Sequence, residues 1–171
     1  IHDSSARTAQ ILLEAINDPM SKGNDEGTEE KFSAIAARYP TISVHLTDFR
    51  GSITYSTRHE ATRKPMQDVV RDPRFAALFT TALQKPVDEG QLLELGGVPY
   101  YTELKTIPNA PECHHCHGAS QPILGAMVML QDISADAALL RTRQWQGGAL
   151  SLAGMLALTA VLSLFMRRAV V

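Results

Sequence analysis

Residues 111–118 read Pro-Glu-Cys-His-His-Cys-His-Gly, and Cys113 and Cys116 are the only cysteines in the chain. With no other thiol to pair with, they form one local site rather than a disulfide framework. The pattern Cys-x-x-Cys-His is the attachment signature of c-type haem. Its spacing has a chemical reason. Two thiols add to the vinyl groups on one edge of the porphyrin, and the histidine directly after them swings beneath the ring to bind iron. On this reading Cys113 and Cys116 form the thioethers to one haem c, and His117 is the proximal iron ligand. The second ring nitrogen of His117 should donate to a nearby backbone carbonyl, orienting the imidazole and tuning the iron.

Two other chemistries use the same residues. Zinc can draw on Cys113, Cys116, His114, His115 and His117, but no second pair of ligands at zinc spacing occurs elsewhere. A redox dithiol wants its first cysteine exposed at a helix start, which a loop flanked by Pro108 and Pro111 does not supply. His114 and His115 fill the variable positions as solvent-facing spacers that still bring titratable groups near a haem edge.

The sixth iron position decides what such a site does. A sulfur ligand raises the potential and gives a closed electron-transfer site, whereas a water or a vacant position lets a gas bind. Met66 is the first candidate, because its neighbours from Arg63 to Gln67 are polar and do not resemble a core. Met20 competes with it, His45 and His59 are weaker, and Met127 and Met129 alternate along a strand as packing residues do.

The elements that must position this loop follow from periodicity. Ser5 to Asn17 has a helical pattern with Ala9, Leu12, Ala15 and Ile16 on one face. Ser21 to Gly27 reads as a loop, and Thr28 then caps a short helix with Glu29 and Glu30 in its first turn. Beyond Pro40, Ile42, Val44 and Leu46 alternate with Ser43, His45 and Thr47, the period of a half-buried strand. A turn at Asp48 to Gly51 leads to a second strand, Ser52 to Thr57, so the pair forms a hairpin. Asp72 followed by Pro73 starts a helix that runs through Phe75, Leu78, Phe79 and Ala82. Strands are expected at Gln91–Leu95, Tyr100–Thr106 and, after the cysteine loop, Ile123–Gln131, before a helix capped by Ser134. The fold class is α+β, one domain over 1–143.

From Gln144 to Met166 run 23 residues without a formal charge, between Arg141 and Arg143 on one side and Arg167 and Arg168 on the other. That length crosses about 30 Å of hydrocarbon as a helix, with Trp145 at an interfacial depth. The arginines are symmetric and do not orient it. Haem attachment of this type takes place outside the cytoplasm, so the domain should face the periplasm of an inner membrane and residues 167–171 should begin the cytoplasmic side. Ala149, Ala153 and Ala157 form a small-residue stripe suited to a homodimer. A chain that opens at Ile1 without a basic stretch and apolar run reads as a fragment or processed product.

The formal charge is −2, and without Arg167 and Arg168 the balance is 14 Lys/Arg against 18 Asp/Glu. No clustered basic face calls for nucleic acid. The stretch from Ile42 to Lys64, with Asp48-Phe49-Arg50-Gly51 and Ile53-Thr54-Tyr55-Ser56-Thr57, looks like the central hairpin of PAS-like and Cache-like periplasmic sensor domains. With the motif before a final strand and a membrane helix, the chain resembles the periplasmic c-type haem sensor domains of bacterial transmembrane receptors over about Ser5 to Arg143. That resemblance implies an antiparallel sheet with flanking helices, a domain that senses redox state or a small gaseous ligand, and a final helix that passes the signal through the membrane. A membrane-tethered electron carrier is the alternative. An enzyme is not expected, since peroxidase chemistry needs an open iron and a distal acid-base group, for which only His45 or His59 stands available.

Overall fold

The computed structural model describes residues 2–169, without the side chains of residues 2, 3, 157, 160, 161, 164, 167 and 169. It divides into two units, 1–133 and 134–171. In the first, helices α1 (His2–Ser21) and α2 (Asp25–Arg38) precede strands β1 (Ile42–Thr47) and β2 (Ile53–Ser56). A 3₁₀ turn at His59–Ala61, a short helix α3 (Met66–Val69) and helix α4 (Pro73–Ala82) follow, then strands β3 (Asp88–Leu95) and β4 (Val98–Pro108). The cysteine loop holds a 3₁₀ turn at Pro111–Cys113 and the single helical turn α5 (His114–His117), and β5 (Ile123–Asp132) closes the unit. The sheet order is β2-β1-β5-β4-β3 with every neighbouring pair antiparallel, the expected α+β architecture.

Alternation along the strands supplies two apolar faces. On one, Val44, Leu46, Met127 and Met129 pack under Ala9, Leu12 and Ile16 of α1 and Phe32 and Ile35 of α2. On the other, Leu93, Leu104, Ala126, Val128 and Leu130 pack under Met66, Val70, Phe75, Phe79 and Ala82. Asp72 caps α4 by accepting from the Arg74 and Phe75 amides at 2.8 and 3.0 Å, with Pro73 at the first helical position. Asp48 fixes the β1–β2 turn by accepting from the amides of Arg50 and Ser52, both at 2.9 Å.

Several expectations need correction. Helix α2 is capped by Asn24, not Thr28. The Asn24 side chain accepts from Gly27 N–H at 2.9 Å, and Thr28 is buried one turn inside with its hydroxyl on the Asn24 carbonyl. On α1, Ala15 is exposed and Ser5 takes a buried place on the inner face, its hydroxyl donating to Gln131 Oε1 at 3.1 Å. Strand β1 is not half-buried, because helices cover both sides: Ser43, His45 and Thr47 are buried as deeply as Val44 and Leu46.

Ser134–Ala169 forms one helix, α6, the second unit. Among the described residues no helix is long and apolar enough to cross a membrane. The span expected over 144–166 includes residues 157, 160, 161 and 164, whose side chains lie outside the described residues. So does the third member of the expected dimer stripe, Ala157, and the expected cytoplasmic start, 167–171, runs past the described range.

The two ends of β5 serve different parts of the unit. At its start, Ile123 pairs with Pro108, so residues 109–122 form the connection that carries the cysteines. At its other end Asp132 pairs with Tyr100, and the Ile133 amide donates to the Pro99 carbonyl at 3.1 Å just before α6. About ten residues at roughly 3.3 Å each put these ends some 30 Å apart.

Candidate functional site

The motif loop is held from its own stem. Asn109 donates through Nδ2 to the carbonyls of Gly118 and Gln121, at 2.7 and 2.8 Å, and through its amide to the Pro122 carbonyl at 3.0 Å. Two carbonyl acceptors require the amide NH₂ at that position, which fixes the orientation of the side chain. The Cys113 amide then donates to the Ala110 carbonyl at 2.8 Å, and the Gly118 amide to that of His114 at 2.9 Å. Gly118 adopts φ 68° and ψ 180°, a region open to little but glycine, so the chain turns away directly after His117.

Both cysteines are free thiols, Cys113 half-buried and Cys116 exposed, and His117 is exposed beside them. The two thiols and the imidazole therefore lie on consecutive turns of one exposed loop. His114 and His115 are not idle spacers. His115 Nδ1 donates to the Glu112 carbonyl at 2.7 Å, and His114 Nε2 to that of Asn109 at 3.3 Å. The carbonyl expected for His117 is not found: among the described residues its ring makes no hydrogen bond within the chain.

A closed zinc site needs four ligands converging on one point, and among the described residues no group of three His, Cys, Asp or Glu side chains does so. Haem c asks the loop only for two accessible thiols at this spacing and one following imidazole, which are present.

The distal candidates separate. Met66 is fully buried as the first residue of α3, in one cluster with Ile53, Ala61, Val70, Phe75 and Phe79. Its polar sequence neighbours misled. Met66, Val69 and Val70 stand at i, i+3 and i+4, so a helix turns all three inward while Gln67 and Asp68 between them face out. A thioether enclosed in this way reaches an iron on an exposed loop only if the core unpacks. Met127 and Met129 are fully buried beneath α1 and α2. His45 is 1% exposed on β1, opposite Val128 of β5, and His59 lines a small cavity with Glu29, Phe32 and Tyr55.

Met20 is half-buried at the end of α1. Its carbonyl accepts from the Gly23 amide at 3.0 Å, and a side-chain carbon on Gly23 would stand 3.8 Å from Cys116 Sγ. The α1–α2 turn thus borders the motif. Sequence reasoning missed both this border and Asn109; the one local hint was an asparagine beside a proline, a residue type that ties loops through its side chain.

One expected consequence concerns Asn109. Asn109→Ala should remove two hydrogen bonds at about 1 kcal/mol each, loosening the loop while leaving the sheet intact. Amide hydrogen exchange over residues 110–118 should speed up by roughly tenfold or more, with little change in strand protection. Equal loss of protection in both places would show that the loop is not a separate unit.

No family model matches the chain. Solved structures similar to it include the sensor region of a sensor histidine kinase, with 12% identity and TM-score 0.43, covering 67% of this chain and 51% of that one. The V. cholerae histidine kinase DctB sensor domain shares 14% identity at TM-score 0.46, covering 72% of this chain and 43% of that one. The ligand-binding domain of Mlp24 with asparagine shares 13% identity at TM-score 0.36, covering 60% of this chain and 33% of that one. The chain spans about half or less of the length of each.

Proposed function

We propose that this chain is the Cache-like periplasmic signal-input part of a membrane-anchored receptor. In this reading it carries haem c on Cys113 and Cys116, with His117 as proximal ligand, and senses redox state or a small gaseous ligand. One observation carries it: two free thiols three positions apart, followed at once by an imidazole, on an exposed loop tied down by Asn109. When bound, the haem supplies an iron that changes its charge or takes up a small ligand. The chain's own residues do the rest. Asn109 and Gly118 set the angle of the loop, His114 and His115 hold its carbonyls, and Met20, on the turn bordering Cys116, is the sixth-position residue we favour over Met66.

The output runs through β5, which starts beside the loop and continues into α6 after Ile133. The anchor is the uncharged run 144–166. Trp145, Leu150, Met155 and Phe165 are 77, 74, 69 and 73% exposed along α6, and a helix with apolar side chains on every side belongs in lipid or against partner helices. A homodimer through the alanine stripe would place two such helices together.

The test is to make the full chain with a periplasmic cytochrome maturation system, denature it and extract it with acidified organic solvent. Haem should stay with the wild type. Cys113→Ala and Cys116→Ala together should release all of it, and His117→Ala should keep the thioethers while changing the ferric and ferrous spectra. Met20→Ala should abolish any sulfur-to-iron absorption band, and Met66→Leu should leave it. Wild-type chain that emerges without haem from a maturation system proven on another cytochrome would sink the reading. A ferrous form that ignores carbon monoxide would transfer it to an electron carrier.

A further inference from the structure

At the end of the sheet away from the motif loop, on the α3–α4 face, lies a half-open cavity of about 210 Å³. Its polar wall is made by Ser43, His45, Arg58 and Tyr100. Ser43 and His45 are 4% and 1% exposed, so they belong to the interior, whereas Tyr100 is half-buried and Arg58 exposed. His45 Nδ1 is taken by the Ser56 hydroxyl at 2.9 Å, and that hydroxyl also accepts from the Arg58 amide at 2.9 Å. This leaves Nε2 with no protein partner among the described residues. The Arg58 guanidinium has no carboxylate within ion-pair distance among them either. Val69, Leu95 and Leu130 make the opposite wall.

A buried imidazole with one nitrogen spare, an unpaired guanidinium and two hydroxyls converge on one side of an otherwise apolar space. A buried polar group such as His45 finds a partner, and among the described residues no carboxylate lines the cavity to serve as one. The space equals about seven water volumes at roughly 30 Å³ each, below the range of drug-sized ligands. We propose that this cavity binds a small monocarboxylate of about three to five carbons, its carboxylate on Arg58 and the spare His45 nitrogen and its short chain against Val69, Leu95 and Leu130. A neutral His45, with its pKa lowered to about 4 by burial and then by Arg58, donates Nε2–H to such an anion when Nδ1 accepts from Ser56.

The cavity touches β1, β5 and both strands of the β3–β4 hairpin, at the end where β5 runs on into α6. It is therefore a second input, independent of the haem reading.

The test is titration of the full chain with butyrate and propionate, followed by the ring resonances of His45. Propylammonium and inorganic phosphate serve as controls. Saturable binding with a Kd of about 1 mM or tighter is expected. Arg58→Gln, at an exposed residue whose loss leaves the circular dichroism unchanged, should weaken it at least tenfold. Leu95→Trp should fill the space and abolish it, and Cys113→Ala with Cys116→Ala should leave it as in the wild type. No saturable shift with either acid, equal binding of phosphate, or full affinity in Arg58→Gln would each overturn the proposal. A wild-type chain that binds butyrate but emerges from maturation without haem would count against the haem reading alone.

Discussion

Gly125→Ala is expected to destabilise the first unit by about 3 to 5 kcal/mol, among the largest losses a single methyl can cause. A Cβ at this position would collide with the Thr47 carbonyl oxygen and stand within 3.1 Å of the Asp48 carbonyl carbon. Both obstacles are backbone atoms, so no rotamer relieves them. The strands would have to part where Thr47 Oγ1 donates to the Ala126 carbonyl at 3.2 Å and accepts from the Ala126 amide at 3.1 Å. Those two bonds are buried and would be left unmade, at about 1 kcal/mol or more each. Urea unfolding should show the midpoint falling by roughly 1.5 to 2.5 M at a slope of about 2 kcal/mol/M. Gly147→Ala, on α6 with open space around it, should be neutral or slightly stabilising. A loss under about 1 kcal/mol at Gly125 would mean that β1 and β5 are not held at this spacing.

Gly125 also shows why some of the fold was legible in the sequence and some was not. Asp48-Phe49-Arg50-Gly51 and Asp72-Pro73 declare themselves, because a turn or a cap is made by residues within four positions of one another. The alternation of Ile42 to Thr47 gave the strand but not its burial. Whether Ser43, His45 and Thr47 meet water depends on Val69 and α4, more than twenty residues later, which cover that face. The cap of α2 was misplaced for a related reason. Thr28 and Asn24 are both good caps, and the choice falls to tertiary packing, which buries Thr28 at 1% exposure.

The candidate site divides along the same line. Cys113, Cys116 and His117 lie within five positions of one another, so the sequence itself brings them together. Asn109 acts on the loop from the end of β4, and Gly23 approaches Cys116 from a turn ninety-three positions earlier, a closeness that no pattern in either segment announces. The burial of Met66 went unread for want of a helix: once residues 66–70 are seen to coil, the inward run of Met66, Val69 and Val70 is evident. The second cavity was invisible for the most physical of reasons. It is assembled from β1, β5, the β3–β4 hairpin, the residues after β2 and the end of α3, and no two of its polar groups except Ser43 and His45 are neighbours in sequence.

Acidification should expose the consequence of burying His45. Its pKa is lowered from 6.5 to about 4 in the folded chain, first by burial and then by the Arg58 cation, with Glu60 acting in the opposite direction. As the pH falls, the unfolded chain takes up this proton before the folded one does. The contribution of His45 is therefore complete above pH 6.5, declines between pH 6.5 and about 4, and is flat below that. At 1.36 kcal/mol per pKa unit the decline comes to about 3 kcal/mol. Asp72 is shifted in the same sense, lowered by the amide of Phe75 at the start of α4, but its contribution is lost only as pH falls through the carboxylate range, so the first part of the window belongs to His45. Urea unfolding of wild type and His45→Gln at about pH 7.5 and about pH 4.5 separates the terms, because all other groups cancel in the difference. The wild type should lead at neutral pH, and its lead should shrink by about 2 to 3 kcal/mol, or invert, in acid. A lead that does not change with pH would mean that the imidazole titrates as it does in water, and that the wall formed by Ser43, His45 and Tyr100 stands open to solvent.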